Sequence, residues 1–167
     1  GMSIRVARDA CPFDAVDKAT KLATETGCRP CLYMKSTTNN IAERFIDERD
    51  NAHWVARATL AALCTTRCDL ILDTFSDIDR GYLVRSGLVD RRFNPRGSGN
   101  VVRQLLGLLV INRDRTVLSK QPNIIEIQDD TNSTQWTLSH RAKSDSYDLS
   151  AIGLGPFISN TPVANRE

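Results

Sequence analysis

No apolar run in this chain approaches the ~20 residues that span a bilayer, so a membrane-spanning helix is not expected. Charge of one sign is also missing. Lys and Arg number 22 against 20 Asp and Glu, and the resulting net charge of +2 is too small for the strongly basic face that nucleic acid requires. Aromatics make up only 6 % of the residues, and there are only two histidines. Neither His53 nor His140 stands in a recognisable arrangement with a Ser or Cys nucleophile, which gives a triad reading very little weight. Basic-then-apolar leader patterning is absent, and Gly1 before Met2 reads as the remnant of a removed tag. Five cysteines, an odd number, with no secretion signal point to a reducing, cytoplasmic setting.

What is present is an ordinary globular composition, 41 % hydrophobic and 25 % charged over 167 residues, enough for one domain with a substantial core. Strand and helix patterns alternate three times. Strand candidates begin near residues 3, 31 and 70. After the first, Pro12 suits the first turn of a helix that Gly27 ends. After the second, Thr37, Thr38, Asn39 and Asn40 supply capping chemistry for a long helix with Ile41, Phe45, Ala52, Val55, Ala56 and Leu63 on one face. Thr59 interrupts that face. After the third, a loop leads to a short apolar helix over residues 101–110, with Ser98 as its cap. Such alternation predicts a parallel sheet with right-handed crossovers.

The periodicity changes near residue 116. Residues 123–128 and 135–140 read as two strands around the turn formers of 129–132, a hairpin followed by an extended tail. The expected organisation is therefore an α/β region over 1–115 and a β-hairpin with tail over 116–167. A three-stranded parallel sheet leaves two edges bare, and the hairpin can shield only one. A homo-oligomer follows, with a two-fold dimer its simplest closed form.

Function gathers in residues 69–96, DLILDTFSDIDRGYLVRSGLVDRRFNPR. Leu70, Ile71 and Leu72 are apolar in succession, as in a parallel strand buried on both faces, and Asp73 stands where that strand leaves the sheet. Ligands of α/β folds bind at such exits. Asp77, Asp79 and Asp90 follow among Arg80, Arg85, Arg91, Arg92 and Arg96. Asp73, Asp77 and Asp79 can bind Mg²⁺ or cap turns, and turn chemistry is the commoner use of Asp. A haloacid-dehalogenase-type phosphatase needs a second Asp where Phe75 stands. The arginines can grip a carboxylate or phosphate, or pair internally with the interleaved acids. Tyr82, Leu83, Val84, Leu88, Val89 and Phe93 offer the loop apolar anchors. Cys28-x2-Cys31 and Cys64-x3-Cys68 have spacings zinc accepts, but their apolar neighbours favour inert burial. No metal and no cofactor are expected.

The run LDTFSDIDRGYLVRSGLVDRRFNPRGSGNVVRQLLGLL resembles the closing strand, loop and helix of a glycoside-hydrolase-like (β/α)8 barrel, strongest over residues 72–109. The resemblance lies in the strand ending Asp-Thr-Phe, the Asp-Arg-Gly-Tyr loop and the Asp-Arg-Arg-x-Asn-Pro turn. It implies a partial barrel followed by a small β segment, since three units fall short of the roughly 250 residues of a full barrel. It also implies a carbohydrate or sugar-acid site at the strand exits, with a glycosidase-like hydrolase as the activity. The commonest barrel clan carries Glu at two strand ends. Here the five Glu residues lie elsewhere, and the strand-end carboxylates are Asp9 and Asp73. These are the candidate catalytic pair, with Lys35, Asp77, Asp79, Arg80, Arg91 and Arg92 as candidate substrate contacts. The competing reading is a non-catalytic α/β interaction or assembly module that kept the scaffold without the chemistry.

Overall fold

The computed structural model describes residues 2–6, 10–35, 48–65, 68–79, 83–84, 86–108, 115–121, 124–129, 134–139 and 157–162. Its first part is an α/β unit in which strands β1 (Met2–Val6), β2 (Pro30–Met34) and β3 (Asp69–Leu72) form a parallel sheet in that order. The register pairs Ile4 with Leu32 and Leu32 with Leu70, then Val6 with Met34 and Met34 with Leu72. These residues share one face, and Val6, Leu32 and Met34 are buried there.

Helix α1 (Pro12–Thr26) packs on β1 and β2. Pro12 sits in its first turn, where its missing N–H forfeits no helical bond. Gly27 takes φ 67° at the C-cap, a conformation that disfavours any side chain, and its N–H donates to the Ala23 carbonyl. The buried face is Phe13, Val16, Ala19 and Ala23. Helix α2 (Glu48–Leu63) is buried on nearly every side, between α1, α3 (Gly97–Leu108) and β3. Its small residues Ala52, Ala56, Ala58, Ala61 and Ala62 allow this, because an alanine face lets a neighbouring helix approach closely. Thr59 is tolerated there because its hydroxyl donates to the Val55 carbonyl at 2.8 Å. Thr37 to Asn40, Ile41 and Phe45 lie outside the described residues.

The other face of the parallel sheet corrects the expectation that β3 is buried on both sides. Ser3, Arg5 and Asp69 are exposed, Cys31 and Tyr33 are half-buried, and Ile71 is 48 % exposed. The reason is topological: all three helices lie on the side of Leu32 and Met34, and no described element covers the opposite side. Parallel sheets are normally covered twice, so this open face is the main anomaly of the fold.

The second part is larger than a hairpin. Strands β6 (Arg115–Lys120), β7 (Ile124–Asp129), β8 (Thr134–Ser139) and β9 (Phe157–Pro162) form an antiparallel meander in that order. The expected hairpin is its centre, with Ile124 paired to Ser139 and Asp129 to Thr134. The two outer strands escaped the sequence pattern for different reasons. In β6 a buried charge, Arg115, and an exposed Leu118 invert the usual alternation. In β9, FISNTP does not alternate apolar with polar and ends in Pro. Ile125 and Ile127 of β7 join the core of the α/β unit. Arg115 ties the two parts together, its backbone N–H donating to the Cys64 carbonyl at 3.3 Å and Nη1 to the Leu63 carbonyl at 2.8 Å. These two bonds satisfy carbonyls at the end of α2. No helix among the described residues is long and apolar enough to cross a membrane.

Candidate functional site

Lys35 and Asp73 stand one step past the register pair Met34–Leu72, at neighbouring exits of β2 and β3. The Asp73 N–H donates to the Met34 carbonyl at 3.1 Å, which extends the β2–β3 ladder and holds the Asp73 backbone beside the β2 exit. Its half-buried carboxylate accepts the Thr74 hydroxyl at 3.0 Å on Oδ1. The first exit follows Val6. Asp9 beyond it lies outside the described residues, as does Arg80.

Beyond Asp73 the chain is knitted into a fixed loop. The N–H groups of Leu88 and Val89 both donate to the Phe75 carbonyl, at 2.9 and 3.0 Å, and Asp77 N–H donates to the Val89 carbonyl at 3.1 Å. A two-residue ribbon pairs β4 (Ile78–Asp79) with β5 (Leu83–Val84). Asp79 is thus placed by its backbone, opposite Leu83. Gly87 is required at its position: a Cβ there would come within 2.6 Å of the Asp77 nitrogen and 2.7 Å of the Val89 oxygen. The same holds for Gly99, whose Cβ would run into the Leu88 carbonyl.

Asp77, expected among the substrate contacts, is instead the internal post of this loop. Its side chain is 1 % exposed. Oδ1 accepts the Gly87 N–H at 3.1 Å, while Oδ2 accepts Arg96 Nε at 2.9 Å and pairs with Arg96 Nη2. A carboxylate so buried, with both oxygens already hydrogen-bonded inside the loop, is closed to a ligand. Arg96 also reaches Glu48 Oε2 at 3.4 Å, and the hydrogen bonds it donates to Asp77 hold the guanidinium above its ordinary pKa.

Glu48 completes the arrangement, and the sequence did not reveal it. Its Oε1 accepts the Gly97 N–H at 2.9 Å, the first orphan donor of α3. Ser98, expected to cap that helix, lies inside it, and its hydroxyl donates to the Gly87 carbonyl at 2.9 Å. The cap comes from the start of α2, 49 residues away in sequence, a separation that no local pattern encodes.

The Asp-Arg-Arg-x-Asn-Pro segment is a tight turn built on Asp90. Its Oδ1 accepts the N–H groups of Arg92 at 2.7 Å and Asn94 at 2.8 Å, and its Oδ2 accepts Asn94 Nδ2 at 2.9 Å. These bonds, the one from the Asn94 side chain foremost, pull the Asp90 carboxyl below its ordinary pKa. Arg91 and Arg92 project from the turn and are exposed. Phe93, expected as an anchor, is 71 % exposed and sits at φ 62°, a left-handed conformation that is costly for an aromatic residue. Phe75 is 64 % exposed on the same loop. Both rings therefore stand largely in solvent.

The cysteines lie apart from this site. Cys28 is exposed, Cys31 and Cys68 are half-buried, and Cys64 is buried at the end of α2. Burial pushes the Cys64 thiol up to about 12 and the Cys68 thiol up to about 11. Among the described residues no group of three or more His, Cys, Asp or Glu side chains is placed to hold a metal ion. No protein-family model and no curated protein matches this chain.

Proposed function

We propose that this chain is a partial (β/α) barrel of glycoside-hydrolase-like ancestry that binds a carbohydrate or sugar acid at the exits of β2 and β3. The observation that carries the reading is the pair of exposed phenylalanines, Phe75 and Phe93, on the hydrogen-bonded segments that follow Asp73. Sugar rings present C–H faces that aromatic rings cover, while carboxylates and cations take the hydroxyl and acid groups. In this reading Asp73 is the acid/base or nucleophile and Asp9 the second carboxylate. Lys35, Arg91 and Arg92 orient an anionic substrate, with Asp79 and Arg80 as further candidate contacts. Asp77 serves by holding the loop rather than by touching the sugar.

The alternative is a non-catalytic assembly module that self-associates through its sheet. The open face carrying Tyr33 and Ile71 favours that reading. Crystals soaked with glucose, glucuronate and galacturonate separate the two. Density for a sugar against Asp73 and either phenylalanine supports the carbohydrate site. Empty density there for all three, at tens of millimolar, overturns it.

A further inference from the structure

A helix in this sheet serves two strands at once. Helix α1 packs on both β1 and β2, and α2 reaches β3. Helix α3 stands at the end of the row, where β3 has no further neighbour among the described strands. The result is a half-open cleft of about 440 Å³ floored by Leu70 and Leu72 of β3 and walled by Val102 and Leu106 of α3. Leu106 is 46 % exposed on its wall. Beside the cleft runs the outer edge of β3, with one row of backbone N–H and C=O groups facing away from β2. The lining also includes Arg29, Thr59, Thr65 and Asp69. A cleft with an apolar floor, flanked by a strand edge unpaired among the described strands, is a shape that accepts an added strand.

We infer that this place is taken by β1 of a second copy of the chain, added parallel to β3 in a head-to-tail contact. The inference rests on the self-association named above as the alternative reading and specifies its surfaces. Strand β1 has the right pattern. Ile4 and Val6 lie on its helix-side face, in register with Leu32 and Met34, and its outer edge is likewise unpaired among the described strands. Setting Ile4 and Val6 of the second copy beside Leu70 and Leu72 continues the apolar row into the cleft and keeps each face of the sheet on its own side.

Charge selects the same arrangement. In that register Arg5 of the second copy falls beside Ile71, with Asp69 and Asp73 at the two diagonal positions, within reach of a long side chain. Arg5 is exposed, and the Asp69 side chain is 49 % exposed and pairs with the exposed Arg29 at 2.8 Å. A two-fold contact between the β3 edges fares worse. Centred on Ile71, antiparallel pairing sets Asp69 opposite Asp73 of the second copy, two like charges face to face. Head-to-tail contact leaves one edge free at each end, so assembly either closes into a ring or grows with concentration.

Sedimentation equilibrium on the full chain, from micromolar to hundreds of micromolar, tests this. Arg5→Glu and Asp69→Lys are each expected to weaken assembly on the order of tenfold or more, and the double variant to recover most of the loss. Leu106→Glu, at an exposed position on the cleft wall, is expected to give monomer, with circular dichroism confirming that helix is retained. Should Leu106→Glu unfold the chain, the charge-swap pair decides alone. Assembly unmoved by either single swap overturns this interface while leaving self-association standing. A wild-type chain that stays monomeric throughout overturns both.

Discussion

Arg96 Nε donates to Asp77 Oδ2 at 2.9 Å, and this pair joins a loop to a helix: Asp77 belongs to the chain leaving β3, Arg96 to the threshold of α3. The Asp77 side chain is 1 % exposed and that of Arg96 16 %, so neither charge can fall back on water if the other is removed. Asp77→Asn keeps the size and leaves a poorly compensated guanidinium, with Glu48 at 3.4 Å and the more distant Asp90 as remaining acids. The expected loss is about 3 kcal/mol of folding stability, the scale for breaking a buried pair from one side. Urea unfolding measures it. A loss below about 1 kcal/mol means that the loop does not depend on this pair.

Gly87 provides a test of the same loop without touching charge. A methyl group there meets backbone on two sides, the Asp77 nitrogen at 2.6 Å and the Val89 oxygen at 2.7 Å, and backbone cannot swing away as a side chain can. Gly87→Ala is expected to cost about 2 kcal/mol, in the range for overpacking. A thermal melt unchanged from wild type would show that the loop segments at Asp77 and Val89 do not approach Gly87 as closely as described.

The thiols predict a loss of stability in alkali. Cys64 and Cys68 are raised from an ordinary 9.0 to about 12 and about 11, chiefly by burial. Once unfolded they ionise near 9, so the folded state gains nothing from them below that pH and loses ground as pH rises from 9 towards 12. Their preference for the neutral form also makes them slow nucleophiles. Iodoacetamide at pH 8 is therefore expected to label exposed Cys28 first and buried Cys64 last. Labelling of Cys64 as fast as Cys28 in the native protein contradicts its placement at the end of α2.

Much of the α/β unit was legible because its signals are local. Pro12 and Gly27 bracket α1, and the apolar starts near residues 3, 31 and 70 mark the three parallel strands. The site was legible only in outline. Asp73 at a strand exit follows from the order of elements, whereas the turn at Asp90 was visible only through the family resemblance. What stayed hidden depends on contacts distant in sequence. Asp77 looks the same as Asp73 until Gly87 and Arg96 are brought to it, and Glu48 looks like a surface residue of α2 until Gly97 arrives. Phe93 reads as a loop anchor because apolar residues usually are. Only the Asp90 turn, which forces it to φ 62°, turns it outwards. Strand β6 was missed because it buries an arginine, whose partners are carbonyls at the far end of α2.

The central claim is a sugar site at Asp73 framed by Phe75 and Phe93, and ligand-observed NMR titration with glucuronate and glucose tests it most directly. Wild type is expected to show saturable binding. Asp73→Asn, nearly isosteric and still able to accept the Thr74 hydroxyl, is expected to abolish that binding at a stability cost under about 1 kcal/mol. Phe75→Ala and Phe93→Ala, at exposed positions, are expected to weaken it on the order of tenfold while shifting stability by no more than about 0.5 kcal/mol. Binding that survives Asp73→Asn, or no saturable binding of either sugar by the wild-type chain, contradicts the account.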